Sequence, residues 1–258
     1  MTRRVLITGA SSGIGAALAR RLHENGDTVA ICARRTDRLA EVPAAHRYTI
    51  DLADLDAIEA FAAQVERDLG GVDVLVNNAG APRRRSMTVV TADELDETMR
   101  VNFTSAVRLT SALLPPMLER GSGLVVNVSS MGTRSAAARV GAYAAAKAAL
   151  NHYTEALWFD LAGTGVRARL FIPGSTSSEF STDKPGNDAP FPQDPRYVMT
   201  PEDVAVAFAA FIDAGTGPED DGLFEGFASE AHRAQSQKKY VDHNAFLATY
   251  REMLAGRS

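Results

Sequence analysis

Tyr143 and Lys147 stand four residues apart in the run Tyr143-Ala-Ala-Ala-Lys147. On a helix that spacing puts a phenol and an ammonium on one side, one turn apart. A positive charge near a phenol favours the phenolate and lowers its pKa from the usual value of about 10. The result is a group able to give and take a proton near neutral pH. The pair alone is common by chance, and its company gives it meaning. Ser130 lies thirteen residues upstream, at the end of the apolar run Leu124-Val125-Val126-Asn127-Val128. Asn102 lies further back, and a glycine-rich turn, Thr8-Gly9-Ala10-Ser11-Ser12-Gly13-Ile14-Gly15, comes near the start.

That turn joins a first strand to a first helix. Glycines let backbone N–H groups approach a pyrophosphate, and a helix amino terminus adds partial positive charge. Gly9, Ser11, Ser12, Gly13, Ile14 and Gly15 are therefore candidate dinucleotide contacts. The turn lacks the Gly-Lys-Ser/Thr of an ATPase loop. About 20 residues further on, an NAD site places a carboxylate against the ribose hydroxyls. This chain has Ala33 followed by Arg34 and Arg35. Guanidinium groups bind a 2′-phosphate that a carboxylate would repel, so NADP(H) is expected. Asp51-Leu52 follows the third strand, where Asp51 could accept from an adenine amino group; a helix N-cap role for a neighbouring Asp fits as well. Asn78, Ala79 and Gly80 follow the fourth strand, and their small or amide side chains suit close packing against a cofactor.

The elements that must position these groups alternate. Strands are expected at Val5 to Ile7, Thr28 to Ala33, Tyr48 to Ile50, Val72 to Val76, Gly123 to Val128 and Val166 to Ile172. Helices are expected from Gly13 to about Asn25, Arg35 to Glu41, Asp54 to Leu69 and Val140 to about Ala162. Two more are expected from Pro201 to about Ala214 and from Ala92 to about Arg120, the last bent near Pro115-Pro116. Continuous apolar strands separated by helices imply an α/β fold: a doubly wound parallel, Rossmann-type sheet with helices on both faces. No repeat or linker divides residues 1–258, so one domain is expected. The stretch 174–199, rich in Pro, Gly, Ser and Asp, follows the carboxyl end of a strand and reads as a substrate lid.

Composition narrows the function. Hydrophobic residues make up 45% and charged residues 23%, with a formal net charge of −5. That balance does not suggest a nucleic-acid binder. No run approaches the ~18 apolar residues of a membrane span, and no signal-peptide pattern is seen, so a cytoplasmic protein is expected. Cys32 is the only cysteine, which rules out an intrachain disulfide, and it sits in an apolar run as a small core residue. The five histidines show no metal-ligand spacing, and no metal is expected.

Taken together, Thr-Gly-x-x-x-Gly-x-Gly, Asn77-Asn78-Ala79-Gly80, Asn102, Ser130, Tyr143-x-x-x-Lys147 and Pro173-Gly174 resemble the short-chain dehydrogenase/reductase superfamily, in its branch of chains near 250 residues. The likeness covers roughly residues 3 to 178, with a weaker match at the helix start Thr200-Pro201-Glu202-Asp203. It implies that Tyr143 is the general acid in reduction and that Ser130 polarises the substrate oxygen. Lys147 would lower the Tyr143 pKa and hold the nicotinamide ribose. Asn102 would sit at a helix irregularity and anchor a water that relays protons to Lys147. Pro173, Gly174, Thr176 and Ser178 would border the nicotinamide, Ser178 standing where the family usually has Thr. By the same resemblance the helices from Ala92 and Val140 would pack two copies into a homodimer. The segment 229–258 departs from the family's usual ending and leaves a tetramer open.

The expected activity is an NADP(H)-dependent oxidoreductase acting on a carbonyl or secondary alcohol. A 3-hydroxy-acid or 3-oxoacyl-thioester oxidoreductase is the alternative, and a non-catalytic NADP(H)-binding regulator the reading from another class. Substrate contacts are expected from Ser130, Met131, Phe180 and Tyr197, with Thr133, Arg134, Val140 and Phe191 nearby. Arg83-Arg84-Arg85 reads as a solvated charged loop, or as an attraction for an acidic substrate. Phe246, Leu247, Tyr250, Met253 and Leu254 recur at helical spacing, so the carboxyl-terminal segment is expected to dock.

Overall fold

The computed structural model describes residues 2–134, 137–182, 186–188, 195–216 and 224–241. Seven strands form one sheet: β1 (Arg4–Thr8), β2 (Thr28–Ala33), β3 (His46–Thr49), β4 (Val74–Asn77), β5 (Gly123–Val128), β6 (Val166–Ile172) and β7 (Glu225–Phe227). Their order is β3-β2-β1-β4-β5-β6-β7, and every pairing is parallel. The helices are α1 (Gly13–Glu24), α2 (Thr36–Ala40), α3 (Ile58–Leu69), α4 (Ala92–Met99), α5 (Ser105–Arg120), α6 (Gly141–Asp160), α7 (Pro201–Thr216) and α8 (Glu230–Val241).

Strand periodicity explains the layers. Successive side chains point to opposite faces, and in this sheet both faces are apolar. Val5 and Ile7 of β1 join a core with Leu18 and Leu22 of α1 and Phe208 of α7. Leu6 between them joins a second core with Phe61 of α3 and Leu109 and Leu113 of α5. Val74 and Val76 against Leu75 repeat the division in β4. Phe171 stacks on Phe208 with centroids 4.0 Å apart. Burying such a side chain contributes about 1.5–3 kcal/mol. Cys32 is fully buried, and desolvation pushes its thiol up to about 12.

Several boundaries differ from those the sequence suggests. β3 begins at His46 and stops at Thr49, before Ile50. A 3-10 turn, Leu55–Ala57, precedes α3, which ends at Gly70 in the left-handed conformation, φ 69°. The expected long helix from Ala92 is divided, but not at its prolines. A π turn, Arg100–Thr104, separates α4 from α5, and α5 then runs through Pro115 and Pro116 to Arg120. The Thr200 hydroxyl accepts from the Asp203 amide at 3.1 Å and starts α7. α8 forms where the sequence offered only a polar segment. Phe246, Leu247, Tyr250, Met253 and Leu254 lie outside the described residues, as does Phe191. Among the described residues no helix is long and apolar enough to cross a membrane.

The chain leaves β1 toward β2 and β3, then returns to add β4 on the other side. The loops after β1 and β4 therefore diverge, and a crevice opens at the carboxyl ends of the strands between them.

Candidate active site

The crevice is a cleft of about 490 Å³, within the usual range for small-molecule sites. Its lining runs from Arg34 and Arg35, past Asp51 and Leu52, over the glycine turn and Asn78 to Gly80, to Ser130, Met131, Tyr143, Lys147 and Phe180. Pro173, Gly174, Thr176 and Ser178 close one side. Of the residues expected at the site, Gly15, Asn102 and Tyr197 do not line the cleft.

Thr8 ties the two diverging loops together. Its hydroxyl accepts from the amides of Asn78 at 3.0 Å and Ala79 at 2.9 Å. The Asn78 side-chain amide donates back to the Thr8 carbonyl at 2.9 Å. The contact is so close that side chains are excluded. A Cβ on Gly9 would lie 2.7 Å from Ala79 Cα, and one on Gly15 would lie 2.5 Å from Asn78 Nδ2. Gly9 and Gly13 also have positive φ, 68° and 57°. Gly15 thus shapes the cleft from behind. The Ser12 side chain makes no cap at the start of α1, so the helix amino terminus faces the cleft.

At the outer end, Arg34 is exposed, its guanidinium 3.8 Å from Asp51. Arg35 is the better aimed of the two. It donates to Ser11 Oγ at 3.1 Å and Ser12 Oγ at 2.7 Å, and it pairs with Glu179 at 2.7 Å. Asp51 Oδ1 accepts from the Ala53 amide at 3.0 Å and so braces its own turn.

At the inner end, Tyr143 and Lys147 sit one turn apart on α6, both buried. Tyr143 hydrogen-bonds Ser130, which lowers its pKa, but burial outweighs this and pushes the phenol up to about 12. Lys147 Nζ donates to the Val128 carbonyl at 2.9 Å, and burial pulls the ammonium down to about 8. The lowering of Tyr143 that the spacing suggests is therefore not realised; desolvation governs both groups. Ser130 Oγ also accepts from the Gly132 amide at 3.0 Å.

Asn102 occupies the π turn and is buried. Its Oδ1 accepts from the Ala81 amide at 3.1 Å, and its Nδ2 donates to the carbonyls of Ala81 at 3.1 Å and Thr98 at 2.9 Å. A Cβ on Gly80 would lie 3.0 Å from Asn102 Oδ1 and 3.7 Å from Lys147 Nζ. Asn102 thus fixes the loop after β4 close to Lys147.

A buried polar chain, missed in the sequence, sets α6 against the sheet. Asn77 Nδ2 donates to Thr110 Oγ1 at 3.0 Å and to Asn127 Oδ1 at 2.8 Å. Asn127 Nδ2 donates to Thr154 Oγ1 at 2.9 Å, and Thr154 donates to the Leu150 carbonyl at 2.6 Å. Asparagines inside otherwise apolar strands were its only signal.

The segment after β6 is closed at its base, where Ser177 N donates to Met199 O at 2.9 Å and Met199 N to Ser175 O at 3.0 Å. Phe180 from this segment packs on Tyr143 with centroids 5.5 Å apart. Arg84 is buried beneath it, donating to the carbonyls of Ser181 at 3.3 Å and Thr182 at 2.7 Å. Arg83 pairs with Glu94 and Glu97, and Arg85 with Glu94 and Asp188. The three arginines are thus not a uniformly solvated loop. Tyr197 instead meets α8: its carbonyl lies 3.0 Å from His232 Nε2. Thr133 Oγ1 donates to the Ser130 carbonyl at 2.8 Å, Arg134 pairs with Glu225, and Val140 is buried.

The short chain dehydrogenase family model matches residues 3–188. The chain belongs to this family. An uncharacterized oxidoreductase of Mycobacterium bovis is 44% identical over 176 residues, 63% of this chain and 52% of that protein. The chain spans about half the length of these curated relatives. A short-chain dehydrogenase from Streptomyces avermitilis superposes with a TM-score of 0.80 at 29% identity, covering 100% of this chain and 99% of that one. An actinorhodin polyketide ketoreductase variant with NADPH gives 0.74 at 28% identity, covering 88% and 95%. The family is one of oxidoreductases, so a nicotinamide dinucleotide is the implied cofactor. The glycines pressed against Asn78 and Ala79, the open start of α1 and the length of the cleft fit such a group.

Proposed function

We propose that this family member is an NADP(H)-dependent oxidoreductase acting on a carbonyl or secondary alcohol. One observation carries the reading: the Ser130–Tyr143 hydrogen bond lies beside buried Lys147 at the inner end of a cleft whose outer end is lined by arginines. The amides at the start of α1 would hold the pyrophosphate. Arg34 and Arg35 would hold the 2′-phosphate, Asp51 and Leu52 the adenine, and Asn78, Ala79, Gly80, Lys147, Pro173, Gly174, Thr176 and Ser178 the nicotinamide half. When bound there, NADPH would supply the hydride for the carbonyl carbon.

The chain's own residues manage the proton. Ser130 Oγ donates to the carbonyl oxygen and orients it toward Tyr143. The Tyr143 hydroxyl, kept protonated by burial, donates its proton as negative charge grows on that oxygen. Protonated Lys147 stabilises the phenolate left behind. Asn102 holds the loop at Gly80 and would anchor a relay water. Phe180 and Met131 give the substrate side an apolar wall and exclude water.

The ketoreductase with NADPH supports both the cofactor and the alternative of a 3-oxoacyl-thioester or 3-hydroxy-acid substrate. The segment 174–199 serves as a lid on one catalytic domain. The reading includes a cytoplasmic homodimer packed through α5 and α6, where Phe159 is exposed. The test is NADPH consumption across a panel of ketones and 3-oxoacyl thioesters. Turnover that vanishes in Tyr143→Phe supports the reading. NADPH binding with no oxidation by any carbonyl would mark a non-catalytic binder instead.

A further inference from the structure

Glu179 stands where a cofactor phosphate is expected. Its Oε2 lies 2.7 Å from the Arg35 guanidinium, and its Oε1 lies 3.5 Å from that of Arg38. The same Arg35 guanidinium reaches Ser11 and Ser12 of the glycine turn. A carboxylate from the segment after β6 thus occupies two cations at the outer end of the cleft. Its neighbour Phe180 packs on Tyr143 at the inner end. One short run of backbone therefore joins the two ends.

We infer that Glu179 is a cofactor-specificity residue that competes with the 2′-phosphate of NADP(H) for Arg35 and Arg38. This rests on the NADP(H) reading above. A 2′-phosphate is a dianion with three acceptor oxygens and displaces a single carboxylate from two guanidinium groups. The displacement is cheap because the pair is exposed, with side-chain exposures of 43% and 41%. NAD(H), lacking the phosphate, leaves Glu179 in place. The phosphorylated cofactor therefore releases the lid residue next to Phe180, and the unphosphorylated one does not. Glu179 lowers affinity for NADP(H) in exchange for a lid that responds to the phosphate.

Two adenosine nucleotides without nicotinamide isolate the effect from catalysis. Adenosine 2′,5′-bisphosphate and 5′-AMP are titrated into wild type, Glu179→Gln, Arg35→Ala and the double variant by calorimetry. Glu179→Gln is expected to tighten the bisphosphate about three- to fivefold, the range of an exposed ion pair, with 5′-AMP unchanged. In the Arg35→Ala background most of that gain should vanish. Hydrogen exchange at Ser181 and Thr182, whose amides bond Ser178 and Glu179 carbonyls, should quicken in wild type with the bisphosphate but not with 5′-AMP. In Glu179→Gln it should already be fast. An equal effect on both nucleotides, or none, overturns the competition while leaving the NADP(H) reading intact. A wild type with no preference for the bisphosphate removes that reading, and this inference with it.

Discussion

Burial pushes the Tyr143 phenol up and the Lys147 ammonium down, beyond what their spacing suggests, and this makes both testable. Tyr143→Phe removes only a hydroxyl from a buried ring. Turnover should fall on the order of 100-fold or more, the scale of lost general-acid catalysis, with NADPH affinity nearly unchanged. Steady-state rates and a fluorescence titration separate the two. Lys147 gives a pH signature. Its pKa is about 8 in the folded protein against 10.5 when unperturbed. Between those values the unfolded chain holds a proton that the folded chain has lost, so stability rises with pH across the window. Below it both states hold the proton and the burial cost is full. The slope is roughly 1.4 kcal/mol per pH unit at most. Cys32 and Tyr143, with raised pKa values, act in the opposite sense above about pH 9. The difference in urea-unfolding free energy between wild type and Lys147→Met isolates the lysine. A difference that does not change between pH 8 and 10 would exclude a depressed lysine pKa.

Elements keep these residues in place through few contacts. The chain Asn77–Asn127–Thr154 links β4, β5 and α6. Asn127→Leu would leave the second Asn77 amide hydrogen without its acceptor. The expected loss is about 1–3 kcal/mol, the cost of a buried unsatisfied donor, read from urea unfolding. Combining it with Asn77→Leu should cost less than the two losses added, because the pair is one network. Gly174 is a second such point. Its φ is +75°, and a Cβ there would lie 2.3 Å from the His232 ring. Gly174→Ala should lower the melting temperature and weaken nicotinamide-side binding together. An unchanged melting temperature would mean that α8 gives way freely.

At the scale of the whole molecule, α8 reaches back to the site. His232 is buried, with Ser229 Oγ 2.9 Å from Nδ1 and the Tyr197 carbonyl 3.0 Å from Nε2. The helix therefore braces both the loop after β6 at Gly174 and the turn at Tyr197. Deleting residues after Ser229 should raise the KM for a carbonyl substrate and lower the melting temperature. The NADPH Kd should change less, because the described contacts of His232 on α8 run to Gly174 and Tyr197, away from the glycine turn and Arg35. A truncated protein with wild-type kinetics and melting temperature would show the segment to be dispensable.

The α/β class, the strand-turn-helix at Gly9 to Gly15 and the grouping of Ser130, Tyr143 and Lys147 were legible because each depends on local spacing. Apolar runs, glycine intervals and a one-turn separation act over a few residues and leave a direct mark in the chain. The sequence also marked Arg34 and Arg35 but could not rank them, since which guanidinium turns toward Ser11 depends on how α2 leaves β2. Glu179 was invisible at 144 residues from Arg35. So was buried Arg84, whose partners lie 97 and 98 residues away. The helix irregularity that the resemblance put at Asn102 is there, where the buried asparagine bonds a neighbouring loop, while the bend expected at Pro115 and Pro116 did not divide the helix. Desolvation likewise has no sequence signature. It reversed the direction expected for Tyr143 because burial in the fold, with Phe180 packed on the ring, outweighs the hydrogen bond from Ser130.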